Sequence, residues 1–172
     1  SCGKVFVTHK GVAGKEMLRF GLEFAMPGAF DRVQWYGRGP QENYCDRKTG
    51  ARIACFDMTV ADLEHHYMRP QENGHRTDVR ALAIIDADGK GLKLTAQGDV
   101  PMEFNCFKYS VDDLDKATHI HKLRHTDVTT VCIDAAMRGV GGDMPGSATL
   151  REPYIMHKGT AYAHSFVLEP LT

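Results

Sequence analysis

Leu18-Arg19-Phe20-Gly21-Leu22-Glu23-Phe24-Ala25-Met26 alternates large apolar side chains with charged or small ones, and Pro27-Gly28 ends the run. Period-two alternation marks a strand with one buried face, because successive Cβ atoms point to opposite sides of a sheet. The same reading extends outward. Lys4 to His9 is a strand candidate on the N-terminal side. On the C-terminal side the candidates are Val33 to Gly37, Arg52 to Met58, Arg76 to Asp86, Gly91 to Ala96, Met102 to Lys108, Ile120 to His125, Thr129 to Ala135, Ala148 to His157 and Ala161 to Leu168. Turn-forming sequences separate them, and Asp88-Gly89 between two runs is a hairpin signal. Many short strands joined by turns predict an all-β protein, a sandwich or a barrel. One short helix is predicted from Val111 to Ala117, with Ser110 as its cap, Asp113 as the capping partner, and acidic residues at its positive end.

Composition sets the bounds. A chain of 172 residues suits one domain, or a large part of one. A net charge of −1 gives no electrostatic footprint for nucleic acid or an anionic membrane. No apolar run is long enough to span a bilayer. The sequence opens at Ser1 without a charged n-region or an apolar h-region, as expected of a processed or shortened chain, so cytoplasm and periplasm both stay open. The five cysteines are odd in number and hold no Cys-x-x-Cys pair, which argues against a zinc knuckle and a full disulfide framework. Cys55, Cys106 and Cys132 lie in strand-like runs and read as small core residues.

A four-residue string occurs twice. Pro40-Gln41-Glu42-Asn43 follows Trp35-Tyr36-Gly37-Arg38-Gly39, and Pro70-Gln71-Glu72-Asn73 precedes Gly74-His75-Arg76. Each copy predicts a rigid loop, since proline presets φ and Asn and Gly tolerate the left-handed region. Spacing alone favours a structural role, because polar loop residues often cap turns. His119-Ile120-His121 would share a face if it formed a strand, but no third zinc ligand stands nearby. Gly139-Val140-Gly141-Gly142-Asp143 lacks the ending of a phosphate loop and reads as a flexible surface segment spanning Arg138 to Ser147.

These stretches, in order, carry a resemblance. Val33-Gln34-Trp35-Tyr36-Gly37-Arg38-Gly39-Pro40-Gln41-Glu42-Asn43-Tyr44 with Asp46-Arg47 resembles the C-terminal domain of the long β-galactosidases of glycoside hydrolase family 2. So do Pro70-Gln71-Glu72-Asn73-Gly74-His75-Arg76, then Phe104-Asn105 with Tyr109-Ser110, Leu114 and His119-Ile120-His121, then Gly139-Val140-Gly141-Gly142-Asp143. The match covers roughly residues 18–170 of a single domain, 1–172. It implies an antiparallel β-sandwich, the supersandwich type similar to galactose mutarotases, forming the C-terminal portion of a β-galactosidase. The implied parent hydrolyses terminal non-reducing β-D-galactose with retention. Its catalytic carboxylates sit in a (β/α)8 barrel outside this chain, and any Mg or Na ions belong to other domains. The implied role here is non-catalytic: to wall the galactoside site and support assembly, a homodimer included. No catalytic residue, metal ligand or cofactor is expected in the chain itself. The substrate-binding candidates are Asp143, Met144, Gly146, Glu72, Asn73 and Arg76. One departure stands out, because Gly146 occupies the place where well-known family members carry a sugar-stacking tryptophan. Two other functions fit a fold of this type: a free-standing aldose epimerase, pairing His119 or His121 with Glu72, and a lectin-like carbohydrate-binding module.

Overall fold

The run Arg32–Gly39, here β3, alternates exposed and buried residues along its length, with Val33 and Trp35 facing inward. Its neighbours repeat the pattern and fix the architecture. The computed structural model describes residues 3–141 and 149–172. In chain order the other strands are β1 (Val5–Val12), β2 (Arg19–Pro27), β4 (Arg52–Thr59), β5 (Arg76–Val79), β6 (Ala81–Ile85), β7 (Gly91–Ala96), β8 (Met102–Phe107), β9 (Val128–Met137) and β10 (Ala161–Leu171). They form two antiparallel sheets, one of six strands in the order β1-β10-β7-β6-β3-β4 and one of four in the order β2-β9-β8-β5. The sheets pack face to face as a β-sandwich. Val33, Trp35, Leu82, Ile84, Leu94 and Phe166 from the larger sheet meet Met26, Val79, Met102, Phe104, Val131 and Ile133 from the smaller.

The outer face of the four-stranded sheet is also covered. Helix α2 (Val111–Lys116) lays Leu114 against Phe107, Tyr109, Ala117, Leu123 and Cys132. Ser110 caps it as expected: its hydroxyl accepts the Asp113 N–H at 3.0 Å and donates to the Asp113 carboxylate at 2.6 Å. That cover is why β8 is buried on both faces and β3 on one.

Several expectations are corrected. Arg76 to Asp86 is two strands. The chain leaves the small sheet after Val79 and joins the large one at Ala81. Asp78 makes the crossing in the left-handed region at φ 55°, its carboxylate held by Arg38 at 2.5 Å and Lys48 at 3.0 Å. Ile120 to His125 is no strand, because Ile120–Lys122 forms a 3-10 turn. The described part of Ala148 to His157 holds a 3-10 turn at Glu152–Tyr154 and a single bridge from Met17 to Met156. Pro153 at the start of that turn lacks the N–H a ladder needs. A second helix, α1 (Val60–Leu63), is capped by Thr59 with Asp62 three residues on, the spacing that marks α2. Cys55 is exposed rather than core, since β4 is an edge strand and its alternate side chains face outward. Cys45, Cys106 and Cys132 are free thiols with Cys55, and Cys2 lies outside the described residues.

Candidate functional site

The two Pro-Gln-Glu-Asn loops are built alike. In each, the Asn side chain is buried and its amide donates to the carbonyl of the Gln two residues earlier, at 3.0 Å. In each, the Asn Oδ1 accepts a backbone N–H from another segment: Thr77 at 3.0 Å for Asn43, and His65 at 3.1 Å for Asn73. Buried donors and acceptors are thereby satisfied, which fixes both loops. The loops also brace each other. The Asn43 N–H donates to His75 O at 2.8 Å, and Glu42 Oε2 accepts the Gly74 N–H at 2.8 Å. Gly74 sits at φ +72° with Leu63 O 2.9 Å from where a Cβ would stand, so only glycine fits there.

The glutamates diverge. Glu42 is taken up by Arg47, the Tyr67 hydroxyl and Gly74. Glu72 reaches the outer face of the small sheet, where strand parity converges four more polar side chains. Alternation along β2 puts Arg19 on that face with Gly21, and a bulge in the facing strand, which leaves Ala135 unpaired between Asp134 and Ala136, interrupts the ladder beside them. There Arg19 makes a two-pronged ion pair with Asp134 of β9, with Nε to Oδ1 at 3.2 Å and Nη2 to Oδ2. Gly21 leaves room for this pair, since a Cβ there would stand 2.1 Å from Asp134 Oδ1. Arg19 Nη2 also donates to Asn105 Oδ1 at 2.9 Å, and Nη1 lies 3.6 Å from Glu72 Oε2. Asn105 Nδ2 donates to Glu72 Oε1 at 3.0 Å and to Asn73 O at 2.7 Å. His75, fully buried, closes the network with Nδ1 2.7 Å from Asn105 Oδ1 and Nε2 2.9 Å from Glu103 Oε2.

This network floors a cavity of about 480 Å³, a size that holds a small ligand. Arg19 and Glu72 supply its charged floor, Gln71, Tyr67 and Arg47 one side, and Met137 to Gly141 with Leu150 the other. Asp46 anchors that glycine-bearing side, accepting the Gly141 N–H at 2.7 Å. Among the described residues Glu72 is the only carboxylate in the lining.

Burial pushes the Glu72 carboxyl above the ordinary carboxylate range, against the pull of Arg19, His75 and Asn105. Burial works against the His75 cation, but the hydrogen bond and charge of Glu103 outweigh it and hold the imidazole pKa up. Burial likewise opposes the Arg19 charge and is outweighed by Asp134, so the guanidinium stays firmly protonated.

The expected site residues are thus placed unequally. Glu72 lines the cavity. Asn73 is consumed by loop bracing, its amide also donating to the Tyr109 hydroxyl at 3.0 Å. Arg76 points the other way, into the core, where it donates to Pro40 O, Leu63 O and Gly74 O and lies 5.6 Å from the Trp35 ring centroid. Asp143, Met144 and Gly146 lie outside the described residues. His119 and His121 are exposed on their 3-10 turn, with rings 5.5 Å apart, and neither lines the cavity that Glu72 faces. Arg19, Asp134, His75 and Glu103 were missed. One signal was available, since an isolated glycine inside a strand pattern, here Gly21, marks a bulge or a close approach. Among the described residues no group of three or more His, Cys, Asp or Glu converges to hold a metal ion, and no helix is long and apolar enough to cross a membrane.

The family model described as "Beta galactosidase small chain" matches residues 1–168. A β-galactosidase of Priestia megaterium is 39% identical over 156 residues, covering 91% of this chain and 15% of the relative. One of Halalkalibacterium halodurans is 35% identical over 157 residues, 89% and 15%. One of Streptococcus thermophilus is 33% identical over 172 residues, 98% and 17%. The chain spans about a sixth of the length of these curated relatives.

Proposed function

We propose a function from one premise: this chain belongs to the β-galactosidase small-chain family. It serves as the non-catalytic wall of a galactoside site in a larger β-galactosidase that hydrolyses terminal non-reducing β-D-galactose. The observation that carries the reading is the cavity on the outer face of the small sheet, where Glu72 and Arg19 meet the Met137 to Gly141 strand end. A retaining glycosidase needs two carboxyl groups about 5 Å apart across the scissile bond. The described lining supplies one, already hydrogen-bonded to Asn105, so its chemistry suits holding a sugar hydroxyl rather than attacking a glycosidic bond. Asp143, Met144 and Gly146 lie outside the described residues, and their part as substrate-binding residues rests on the family resemblance. The partners are the rest of the parent enzyme, its (β/α)8 barrel included, and the galactoside. The family match does not favour the epimerase or the lectin-like module, and the epimerase would need an acid–base pair that His119, His121 and Glu72 do not form.

The test has two arms. The purified chain with a chromogenic β-galactoside is expected to give no turnover. A chimera in which this chain replaces the aligned segment of a relative's enzyme is expected to hydrolyse the same compound. There, Asp143→Ala should lower kcat/KM about tenfold, the size of one lost hydrogen bond to a charged group. Turnover by the chain alone, abolished by Glu72→Ala, would overturn the reading.

A further inference from the structure

We propose that His75 is an imidazolium and acts as a positioning residue: its Nδ1–H holds the Asn105 side-chain oxygen while its Nε2–H is held by Glu103, and through Asn105 it supports the hold on Glu72. The orientation of Asn105 follows from its surroundings. Its Nδ2 lies 2.7 Å from Asn73 O, a carbonyl that can only accept, so this atom is the amide nitrogen. Its other atom is therefore the oxygen, which agrees with the Arg19 guanidinium, a pure donor, 2.9 Å from it. His75 Nδ1 faces that oxygen at 2.7 Å and must donate. His75 Nε2 faces the Glu103 carboxylate at 2.9 Å and must also donate. An imidazole that donates from both nitrogens carries a positive charge.

The surroundings accommodate that charge. Tyr44 lays its ring nearly parallel to the imidazole, at 5.3 Å between centroids and 19° between planes, and an aromatic face favours a cation. The charged and titratable groups around His75 are Glu103 from β8, Glu72 and Tyr44 from the two loops, Asp134 from β9 and Arg19 from β2. Three carboxylates thus face it against one guanidinium.

Removing one proton from His75 has a defined consequence. The bare nitrogen meets either a carboxylate or the Asn105 oxygen, lone pair against lone pair. If the bare nitrogen is Nδ1, Asn105 Oδ1 loses one of its two donors and keeps only Arg19, so the amide, pinned through Nδ2 to Asn73 O, is held less firmly beside Glu72. One proton on a fully buried ring thereby sets how firmly Asn105 holds Glu72. The effect on turnover rests on the role proposed above for the cavity, whereas the protonation state does not.

Imidazole ¹⁵N spectra of the uniformly labelled chain test the charge without any substitution. At about pH 7.5, where exposed histidines have gone neutral, both His75 nitrogens are expected to be protonated. As pH rises further, the Asn105 side-chain amide signals should shift together with those of His75. A single neutral tautomer at that pH, or a His75 titration that leaves the Asn105 amide unmoved, overturns the proposal. In His75→Gln the Glu72 carboxyl should titrate higher than in the parent chain, having lost a nearby positive charge, and an unshifted Glu72 counts against positioning. In the active chimera, kcat/KM should decline on the alkaline side of neutral, with His75→Gln removing that limb. A chimera that never turns over sinks the role of the cavity while the spectra stand. An active chimera with a neutral His75 sinks this proposal alone.

Discussion

His164 and His9 show how one residue type takes opposite electrostatic roles in one molecule. They are register partners on β10 and β1, with rings 5.4 Å apart and edge to face, among Phe20 and Phe166. No described group hydrogen-bonds either ring. Burial pushes the His164 pKa down to about 4, with the nearby His9 adding to it, and burial lowers His9 as well. A histidine depressed on folding contributes stability that is fully present above its unfolded value, about 6.5, and lost as pH falls through the folded one. His75 is raised, so its contribution is present below about 6.5 and lost as pH rises. Thermal melts across pH are therefore expected to show losses on both sides. His164→Phe should flatten the acid limb between about pH 6.5 and 4 and leave the alkaline limb alone. An acid limb unchanged in that variant would show that other groups carry it. None of this was legible in the sequence, because the two histidines stand far apart in the chain and meet only through strand pairing.

At the scale of elements, what local pattern controls was readable and what pairing controls was not. The Asp88-Gly89 turn, the α2 cap and the alternation of β3 depend on neighbouring residues and came out as expected. The Arg76 to Asp86 run looks continuous because no Gly, Pro or Asn interrupts it, yet Asp78 breaks it through a turn held by Arg38 and Lys48 from elsewhere. Glu72 is legible as a candidate through the family resemblance, but its side-chain partners, Arg19 and Asn105, come from two distant strands. Gly21 is where an element meets the site. A methyl group at this position would stand 2.1 Å from Asp134 Oδ1 and 2.4 Å from Ile133 O, a carbonyl that cannot swing aside. Gly21→Ala is expected to cost about 2 kcal/mol or more in urea unfolding, as overpacking and loss of the Arg19–Asp134 pair combine. A cost under about 0.5 kcal/mol would mean that the bulge absorbs the methyl group without moving Asp134.

For the molecule as a whole, the sandwich is open where β1 and β2 end their sheets. Phe6 is 74% exposed and Val12 70% on β1, and Leu18 just before β2 is 65% exposed. An edge with apolar side chains and unpaired backbone groups pairs readily with another strand. In the isolated chain it is expected to recruit a second copy, so light scattering should show a mass rising above that of the monomer with concentration. Phe6→Lys should restore the monomer, and a constant monomer mass up to high micromolar concentration would remove the idea. A different consequence follows from the carboxylate of Glu42 gripping the backbone of Gly74. The two copies of the repeated tetrapeptide are not independent parts, because one serves as the clamp of the other. Substitutions in the copy remote from the cavity and in the copy lining it will therefore show epistasis, and the fitness effect of a change at Glu72 will depend on what stands at Glu42.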